Sequence, residues 1–214
     1  MPFDFLKRKK ASDPANSPAA SSAAKTQGVA FDGLTEDWRL TGQMMIEGRL
    51  SDALNKREPI ELLTVQWGPV DGSEPMVDAP GLKTVDPYDL VIIVAGDDSI
   101  PEMSEDGRAA HRVHKVSYEV AIEVPPYRVI GTVFLHPGSE PDSLLSRSSE
   151  MFVPIVEATA MMGDTRVGPE TASAVLVNRQ YIRGVEQVDV RTGERHQKLP
   201  GASMGGTNWT DRAR

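Results

Sequence analysis

The sequence predicts a mainly β protein: two tandem repeats of small β-barrel type, fused or separate, with single-turn helical connectors and disordered tails. Two observations predict this fold. The stretch Tyr127 to Ala160 occurs a second time upstream, in altered form, as Trp38 to Trp67. In both copies apolar and polar residues alternate with the period of two that is typical of a half-buried strand. We therefore interpret the chain as a tandem duplication.

The two copies align in three blocks. The first block has no gap and pairs Gly42 with Gly131; the connectors follow, and the second and third blocks cover later strands. The aligned positions are Trp38 to Ile46 with Tyr127 to Leu135, then Ile60, Leu62 and Leu63 with Phe152, Pro154 and Ile155, then Ile92 to Met103 with Ala174 to Val185.

A glycine interrupts the apolar face of the first aligned strand in each copy, Gly42 in one and Gly131 in the other. Glycine inside a strand marks a bend, a bulge or the close approach of another backbone. Strongly bent short strands are what allows a small sheet to curl into a barrel. We expect both glycines at equivalent inward positions of bent strands.

The connectors after these strands are predicted to be single helical turns, Leu50 to Asn55 and Asp142 to Ser146. Ser51 and Asp142 are expected to accept hydrogen bonds from the free amides at the start of each turn. The alignment matches Leu54 with Leu145. Each of these leucines is expected to close one end of a barrel.

The remaining segments set the predicted domain boundaries: a basic tail at 1–27, repeats at 28–109 and 110–189, and a flexible tail at 190–214. Val116 to Val124 shows the strongest strand alternation, and Pro125-Pro126 ends it. Gly68 to Val85 is rich in Gly and Pro and predicts a long loop without regular structure. Such a loop is either a binding loop or a tolerated insertion.

Charge is unevenly distributed along the chain, whose formal net charge is −8. Residues 1–27 hold five Lys or Arg and two Asp, and residues 190–214 hold five Lys or Arg, one Glu and one Asp, so each tail carries +3. Subtracting both tails leaves −14 for residues 28–189. The predicted folded body is thus strongly acidic between basic ends.

The N-terminal tip, which we define as residues 1–10, joins three apolar residues to four consecutive cations. Twelve of the next fourteen residues are Ala, Ser or Pro, which predicts a flexible tether. We predict a weak, salt-sensitive contact of the tip with a partner protein or an anionic membrane. Folding back onto the acidic body, or no role, are the alternatives. The predicted contact residues are Phe3, Phe5, Leu6, Lys7, Arg8, Lys9 and Lys10.

Several kinds of chemistry lack their sequence signals. There is no cysteine, and the chain contains no P-loop, no dinucleotide-binding glycine motif and no G-x-S-x-G. The spacing of the four histidines fits no zinc site. We expect no catalytic residue, no metal and no cofactor. Without an apolar run of about 18 residues, we expect a cytoplasmic protein, with peripheral contact at the inner face of the membrane through the tip.

Some of these features resemble known families. The strand with an internal glycine, the Leu50 to Asn55 connector and the segment Tyr181-Ile182-Arg183-Gly184-Val185 are similar to the Sm-like small barrel, over about 60 residues of each copy. Only the second copy has the Ile-Arg-Gly core, since the first reads Ser99-Ile100-Pro101-Glu102. The chain also resembles uncharacterised bacterial tandem domains with Arg-Leu-Ser-Asp-x-Leu-Asn, here Arg49 to Asn55. The resemblance implies an SH3-like or Sm-like barrel.

Two functions remain as hypotheses. The first is a non-catalytic protein-interaction or scaffold module that presents an acidic β body to a protein partner, with the tip as a second contact. The second is a nucleic-acid-binding protein of Sm-like descent. Nucleic-acid affinity depends largely on phosphate neutralisation by Lys and Arg, which a body at −14 opposes. The first hypothesis is therefore favoured.

Overall fold

A computed structural model describes residues 26–96, 115–146, 150–189, 191–192 and 194–195. In these ranges eleven strands dominate, so the predicted mainly β class is confirmed. The strands are β1 Thr26–Leu34, β2 Trp38–Glu47, β3 Ile60–Pro69, β4 Val77–Asp78, β5 Thr84–Val85, β6 Ile92–Ala95, β7 Val116–Val124, β8 Tyr127–Leu135, β9 Phe152–Met162, β10 Thr165–Asn178 and β11 Gly184–Gln187. One α-helix, α1 Leu50–Leu54, and the 3₁₀ turns Pro87–Asp89, Pro141–Leu145 and Arg179–Tyr181 accompany them.

The strands pair into one open antiparallel sheet in the order β11-β7-β8-β9-β10-β6-β1-β2-β3-β4, with β5 also pairing with β3. In the first half, β6 returns to pair with β1; in the second half, β11 returns to pair with β7. Strand β6 also pairs with β10, which joins the two halves into a continuous sheet. None of the described helices is long and apolar enough to cross a membrane.

The buried side chains form two clusters, and both draw on the two halves of the chain. The larger cluster consists mainly of residues from β7 to β10, but it includes Leu34, Val91 and Ile92 from the first half. The other surrounds β1 to β3 and includes Phe152 and Leu176 from the second half. Because each half completes the core of the other, the free energy of apolar burial couples the two halves.

Each half contains a β-bulge beside a strand glycine. The β2–β3 register shifts between Thr41 and Gln43, at Gly42, and the β8–β9 register shifts between Ile130 and Thr132, at Gly131. A β-bulge inserts one extra residue in the partner strand and bends it.

The residues across from these glycines have unusual backbone conformations. Thr64 in β3 has φ +50° and Glu157 in β9 has φ +49°, left-handed values that non-glycine residues seldom adopt. Space at the glycines is tight as well. A Cβ at Gly42 would lie 2.8 Å from the Leu63 carbonyl oxygen, so a side chain there would displace the neighbouring backbone.

The bulges show that the second block of the sequence alignment is wrong by one residue. The alignment pairs Leu62 with Pro154, yet Leu62 is buried and Pro154 is exposed. Matching the bulge residues Thr64 and Glu157 instead pairs Leu62 with buried Ile155. A shift of one residue moves every side chain of a strand to the opposite face, so burial decides between the two alignments.

The third block of the alignment is also wrong. It places Ile92–Ala95 against Ala174–Val177, but these segments pair with each other in neighbouring antiparallel strands, β6 and β10. In the chain, β6 follows the 3₁₀ turn Pro87–Asp89, as β11 follows Arg179–Tyr181. Strand β6 therefore follows the same kind of turn as β11, whereas Ala174 to Val177 lie in β10, before such a turn. Residues 97–103 of this block, which include Ser99 to Glu102, lie outside the described residues.

The two connectors differ from each other. Helix α1 buries Leu54, whereas the second connector is a 3₁₀ turn that buries Leu144 and leaves Leu145 47% exposed. The expected closing role of Leu145 is thus wrong, because three residues per turn place Leu144 on the same side as buried Pro141. The expected caps are also absent, since these turns begin one residue before Ser51 and Asp142.

The segment Gly68 to Val85 is not the structureless loop that its Gly and Pro content predicts. It contains the end of β3 and the two short strands β4 and β5, both paired with β3. Two-residue strands carry too little alternation to be seen in a sequence.

Two asparagines link the halves through hydrogen bonds. Asn178 is fully buried; its Nδ2 donates to the carbonyl oxygens of Leu90 at 2.8 Å and Pro87 at 3.4 Å, and its Oδ1 accepts from Gln180 N at 3.0 Å. The Oδ1 of Asn55 accepts from the backbone N–H groups at the start of β9, each at 2.8 Å. Asn178 thereby caps the 3₁₀ turn Arg179–Tyr181 and is hydrogen-bonded to the 3₁₀ turn Pro87–Asp89 of the first half.

Candidate interaction surface

Two tryptophans stack on each other at the surface. The ring centroids of Trp38 and Trp67 are 4.6 Å apart with an interplanar angle of 21°. Trp38 is 41% exposed and Trp67 is 39% exposed. Large aromatic side chains bury extensive apolar area when they are covered, and Trp is enriched among the residues that dominate binding energy. The pair is therefore the strongest candidate for an interaction site among the described residues.

The β-bulge in the first half places these rings together. In β3 the buried positions are Ile60 and Leu62 before the bulge but Val65 after it, so the left-handed Thr64 changes the face on which later side chains lie. Trp67, two residues after Val65, then lies on the same face as Leu40, with which it pairs in β2. Trp38 is two residues before Leu40 and therefore shares this face. An unbulged β3 would direct the Trp67 side chain to the opposite face of the sheet.

The apolar surface continues beyond the tryptophans to the short strand β4. Val77 pairs with Trp67 and is 52% exposed. Gly68 lets the chain before β4 approach closely, because a Cβ there would lie 3.0 Å from the sulfur of Met76. We call Trp38, Trp67 and Val77 the tryptophan surface.

Two exposed acidic residues, Glu36 and Asp37, directly precede Trp38 in the β1–β2 turn. Thr35 orders this turn, since its Oγ1 accepts from the backbone N–H of Trp38 at 2.9 Å and of Asp37 at 3.3 Å. The carbonyl oxygen of Asp37 in turn accepts from Val70 N at 2.9 Å, which ties the turn to the end of β3. The turn therefore presents two exposed acidic residues directly before Trp38.

Arg39, the cation next to Trp38, is already paired with Asp32. Its Nε and one terminal nitrogen donate to the two carboxylate oxygens at 2.8 and 2.7 Å. Chiefly through the hydrogen bond to Asp32, and despite opposing desolvation, the pKa of Arg39 is raised above its ordinary value. This bidentate geometry leaves Arg39 charge-compensated, so it does not cancel the carboxylates of the turn.

Tyrosines of the second half lie close to the same carboxylates. Tyr127 donates its hydroxyl hydrogen to the Thr35 carbonyl oxygen, and Tyr181 donates to that of Tyr88 at 3.1 Å. Burial raises the pKa of Tyr127, and Asp37 and Glu36 raise it further. Burial likewise raises the pKa of Tyr181, with added effects from Glu36 and Asp89.

Glu36 thus acts on both tyrosines, and the turns 87–89 and 179–181 are joined by the Tyr181–Tyr88 hydrogen bond. This junction is acidic and aromatic. Such a surface attracts cations through its carboxylates and through the exposed ring of Tyr88.

An open cleft of about 890 Å³ adjoins the tryptophan surface along β3. Two backbone hydrogen bonds of 2.8 Å bound it: Leu62 N donates to the Lys83 carbonyl oxygen, and Ala79 N donates to that of Val65. The Gln66–Asp78 pair, next to the Trp67–Val77 pair, forms one end of the cleft. We call this feature the β3 cleft. It is lined by Glu61, Leu62, Leu63, Thr64, Val65, Gln66, Asp78, Ala79, Pro80, Leu82, Lys83 and Thr84.

The predicted site residues occupy different places. The tip, Phe3 to Lys10, lies outside the described residues. Gly42 and Gly131 lie at the two bulges, and Leu54 is buried in the first half. The described ranges contain no cluster of three or more His, Asp or Glu side chains able to hold a metal ion.

Sequence reasoning missed the exposure of the tryptophan surface. Alternation places Trp38 on the inward face of β2, together with Leu40. It does not indicate that side chains at the start of this face are exposed to solvent. A partial signal was present, however. Tryptophans begin and end the same aligned copy, and an antiparallel pairing of its first and last strands brings the two residues to the same end of the sheet.

Comparison of the chain with protein-family models, curated proteins and solved structures found no match. The segment that resembles the Sm-like motif lies at the start of β11. Ile182 is buried there, and Arg183 N donates to the Glu123 carbonyl oxygen at 2.8 Å.

Proposed function

We propose that this protein is a non-catalytic protein-interaction module whose tryptophan surface takes a basic segment of a protein partner. The observation that carries this proposal is the stacked, exposed Trp38–Trp67 pair, whose Trp38 directly follows the exposed acidic residues Glu36 and Asp37 in the chain. Aromatic side chains of this kind anchor partners, and a cation–π contact contributes about 0.5 to 1 kcal/mol when exposed and about 2 kcal/mol or more when desolvated.

The charge of the body supports a basic partner. Residues 28–189 carry a formal net charge of −14 by sequence, which steers cationic segments toward the body and raises their association rate at low salt. The tip residues Phe3, Phe5, Leu6 and Lys7 to Lys10 provide a second contact, to the partner or to an anionic membrane, in the same proposal.

We propose further that the body consists of two related units of small-barrel type, β1 to β6 and β7 to β11. Three features support this relation: the last strand of each half returns to the first, each half has a glycine-associated bulge, and each has a capped 3₁₀ turn before its last strand. The caps correspond, because Asp86 Oδ1 accepts from Tyr88 N at 2.9 Å as Asn178 Oδ1 accepts from Gln180 N at 3.0 Å.

Binding of single-stranded nucleic acid is the alternative, and one observation favours it. Stacked aromatic rings offer a platform for bases, and stacking contributes about 1 to 3 kcal/mol per base. The acidic residues beside the rings oppose it, because the phosphates of a stacked strand would lie close to Glu36 and Asp37.

Affinity capture with the full chain tests the proposed function. Wild-type protein, the double variant Trp38→Ala/Trp67→Ala and the control Phe134→Ala are immobilised and exposed to the same cell extract. Phe134 is a fair control because it is 48% exposed, comparable to the tryptophans, and lies in β8, outside the tryptophan surface. We expect a protein partner that binds wild type and the control, is lost with the double variant and is released by salt.

Circular dichroism of all three proteins establishes that they remain folded. Capture of the same proteins by the wild type and the double variant would contradict the proposal. Capture of RNA that depends on the two tryptophans would support the alternative instead.

A further inference from the structure

The β3 cleft has both the chemistry and the position to receive a segment of the same chain. We propose that the N-terminal tip, residues 1–10, docks in this cleft. This inference goes beyond the proposed function, because it concerns a different surface and does not depend on the tryptophan pair.

Half of the residues that line the cleft are apolar, and two carboxylates lie among the others. Leu63 is 52% exposed at the cleft, and Val65, Pro80 and Leu82 add apolar lining. The walls of the cleft, 61–66 and 78–84, carry the carboxylates Glu61 and Asp78 and the cation Lys83, and the chain from 58 to 86 contains six carboxylates in all and no other Lys or Arg. The acidic residues are Glu58, Glu61, Asp71, Glu74, Asp78 and Asp86.

The composition of the tip complements this lining. Phe3, Phe5 and Leu6 supply apolar side chains, and Lys7 to Lys10 supply four adjacent cations. Apolar contact inside a cleft and opposite charge around it act together, with the charge contribution weakened by salt. We therefore expect a docked tip to be held reversibly.

The position of the cleft relative to the start of the described chain favours the same occupant. Thr26 pairs with Glu47 of β2, and Leu63 pairs with Gln43 of that strand. Glu47 and Gln43 are four residues apart, so Leu63 is displaced from Thr26 by about 13 Å along the strand direction. Because β3 is two strands away from β1, the displacement across the strands is about 10 Å. The cleft begins roughly 15 to 20 Å from Thr26. Trp38, at the far end of β2, is about 30 Å away by the same measure.

The connecting segment, 11–25, has a length that suits the nearer site. A flexible chain of 15 residues has a root-mean-square end-to-end distance of about 20 Å. Matching tether length to site separation maximises the effective concentration, which reaches the millimolar range. A weak contact between tip and cleft is therefore substantially occupied within one molecule.

Docking at this place has a consequence for partner binding. The Gln66–Asp78 end of the cleft is adjacent to the Trp67–Val77 pair, so a docked tip lies beside the tryptophan surface. A partner that covers both features displaces the tip, and the displaced tip becomes available for its second contact. The tip thereby competes with partners that extend into the cleft.

Paramagnetic broadening of amide NMR signals tests the proposal on the full chain. Because the chain has no cysteine, Ala11→Cys provides a single site for a spin label directly after the tip. We expect broadening of residues 61–66 and 78–84 that diminishes as salt is raised. Leu63→Arg places a cation in the cleft and should abolish this broadening, whereas Leu145→Arg, at a leucine that is 47% exposed elsewhere, should leave it unchanged.

Three results would overturn the proposal. These are broadening centred on Trp38 and Trp67, broadening of the cleft that Leu63→Arg does not reduce, and the absence of broadening in the cleft. A fourth result concerns a mixed sample, in which spin-labelled molecules are added to isotope-labelled molecules that carry no spin label. Broadening of the cleft that arises only between such molecules would overturn docking within one chain and assign the cleft to the tip of a second copy. Both arginine variants are checked for unchanged amide spectra elsewhere, which separates loss of docking from loss of fold.

Discussion

Replacing Asn178 with Asp is expected to lower the free energy of unfolding by about 3 kcal/mol or more at neutral pH. The side chain is fully buried, and its Nδ2 donates to the Leu90 and Pro87 carbonyl oxygens. The change keeps the shape and the Oδ1 acceptor of the cap, but it places a carboxylate against two carbonyl oxygens. Chemical denaturation at pH 7.5 measures the loss relative to wild type.

The same variant predicts a pH dependence with a defined sign. Burial and the two carbonyl oxygens raise the pKa of the introduced carboxyl above its ordinary value of about 3.9, so the folded state binds the proton more tightly than the unfolded state. The deficit relative to wild type is complete above the folded-state pKa and shrinks as the pH falls through it. Asp86→Asn, at the corresponding exposed cap, is the control and should change stability by less than about 0.5 kcal/mol. An equal deficit at pH 5 and 7.5 would contradict a raised pKa.

Gly131→Ala is expected to lower the free energy of unfolding by about 1 to 3 kcal/mol through overpacking. A Cβ at this position would lie 2.9 Å from Ala158 Cβ, Ile155 Cγ2 and the Val156 carbonyl oxygen, so both packed side chains and backbone must move. Thermal unfolding should show a melting temperature lower by about 2 to 4 °C for each kcal/mol.

Gly81→Ala adds the same methyl group where nothing lies within 4 Å, and it serves as the control. We expect Gly81→Ala to leave the melting temperature unchanged or slightly raised, because alanine restricts the unfolded chain more than glycine does. Equal melting temperatures for the two variants would show that the bulge accommodates a side chain at Gly131.

The strands that carry clear alternation could be predicted from the sequence. The sequence also supported the hypothesis that the strand glycines mark a bend, a bulge or a close approach of another backbone. Period-two patterning identifies β2, β7 and β8 because each buries one face more completely than the other. Both glycines interrupt the apolar face of such a pattern, and this interruption can be recognised in the sequence.

The register after each glycine could not be predicted. A bulge adds one residue to one strand only, and the left-handed conformations of Thr64 and Glu157 have no signature in those residue types. The choice between Leu144 and Leu145 depends on 3₁₀ rather than α geometry, which a five-residue segment does not reveal. The pairing of β6 with β10 is a long-range contact, and no local pattern encodes its partner.

The candidate surface depends on the same register. Trp38 and Trp67 lie on one face only because the β3 bulge changes parity at Thr64, so their stacking follows from a feature that the sequence conceals. The acidic character of the body, in contrast, could be predicted by counting charges. What composition cannot provide is the placement of Glu36 and Asp37 beside the rings.

The central claim, that the tryptophan surface recognises a basic protein segment, is tested most directly by the indole N–H signals of the full chain. The chain has three tryptophans, so Trp38→Phe and Trp67→Phe suffice to assign the two relevant signals. Lys- and Arg-rich peptide, a charge-neutral peptide of equal length and a single-stranded RNA oligomer are titrated at physiological salt. We predict saturable shifts of the Trp38 and Trp67 signals with the basic peptide alone. Shifts with RNA, or none with the basic peptide, would contradict the account.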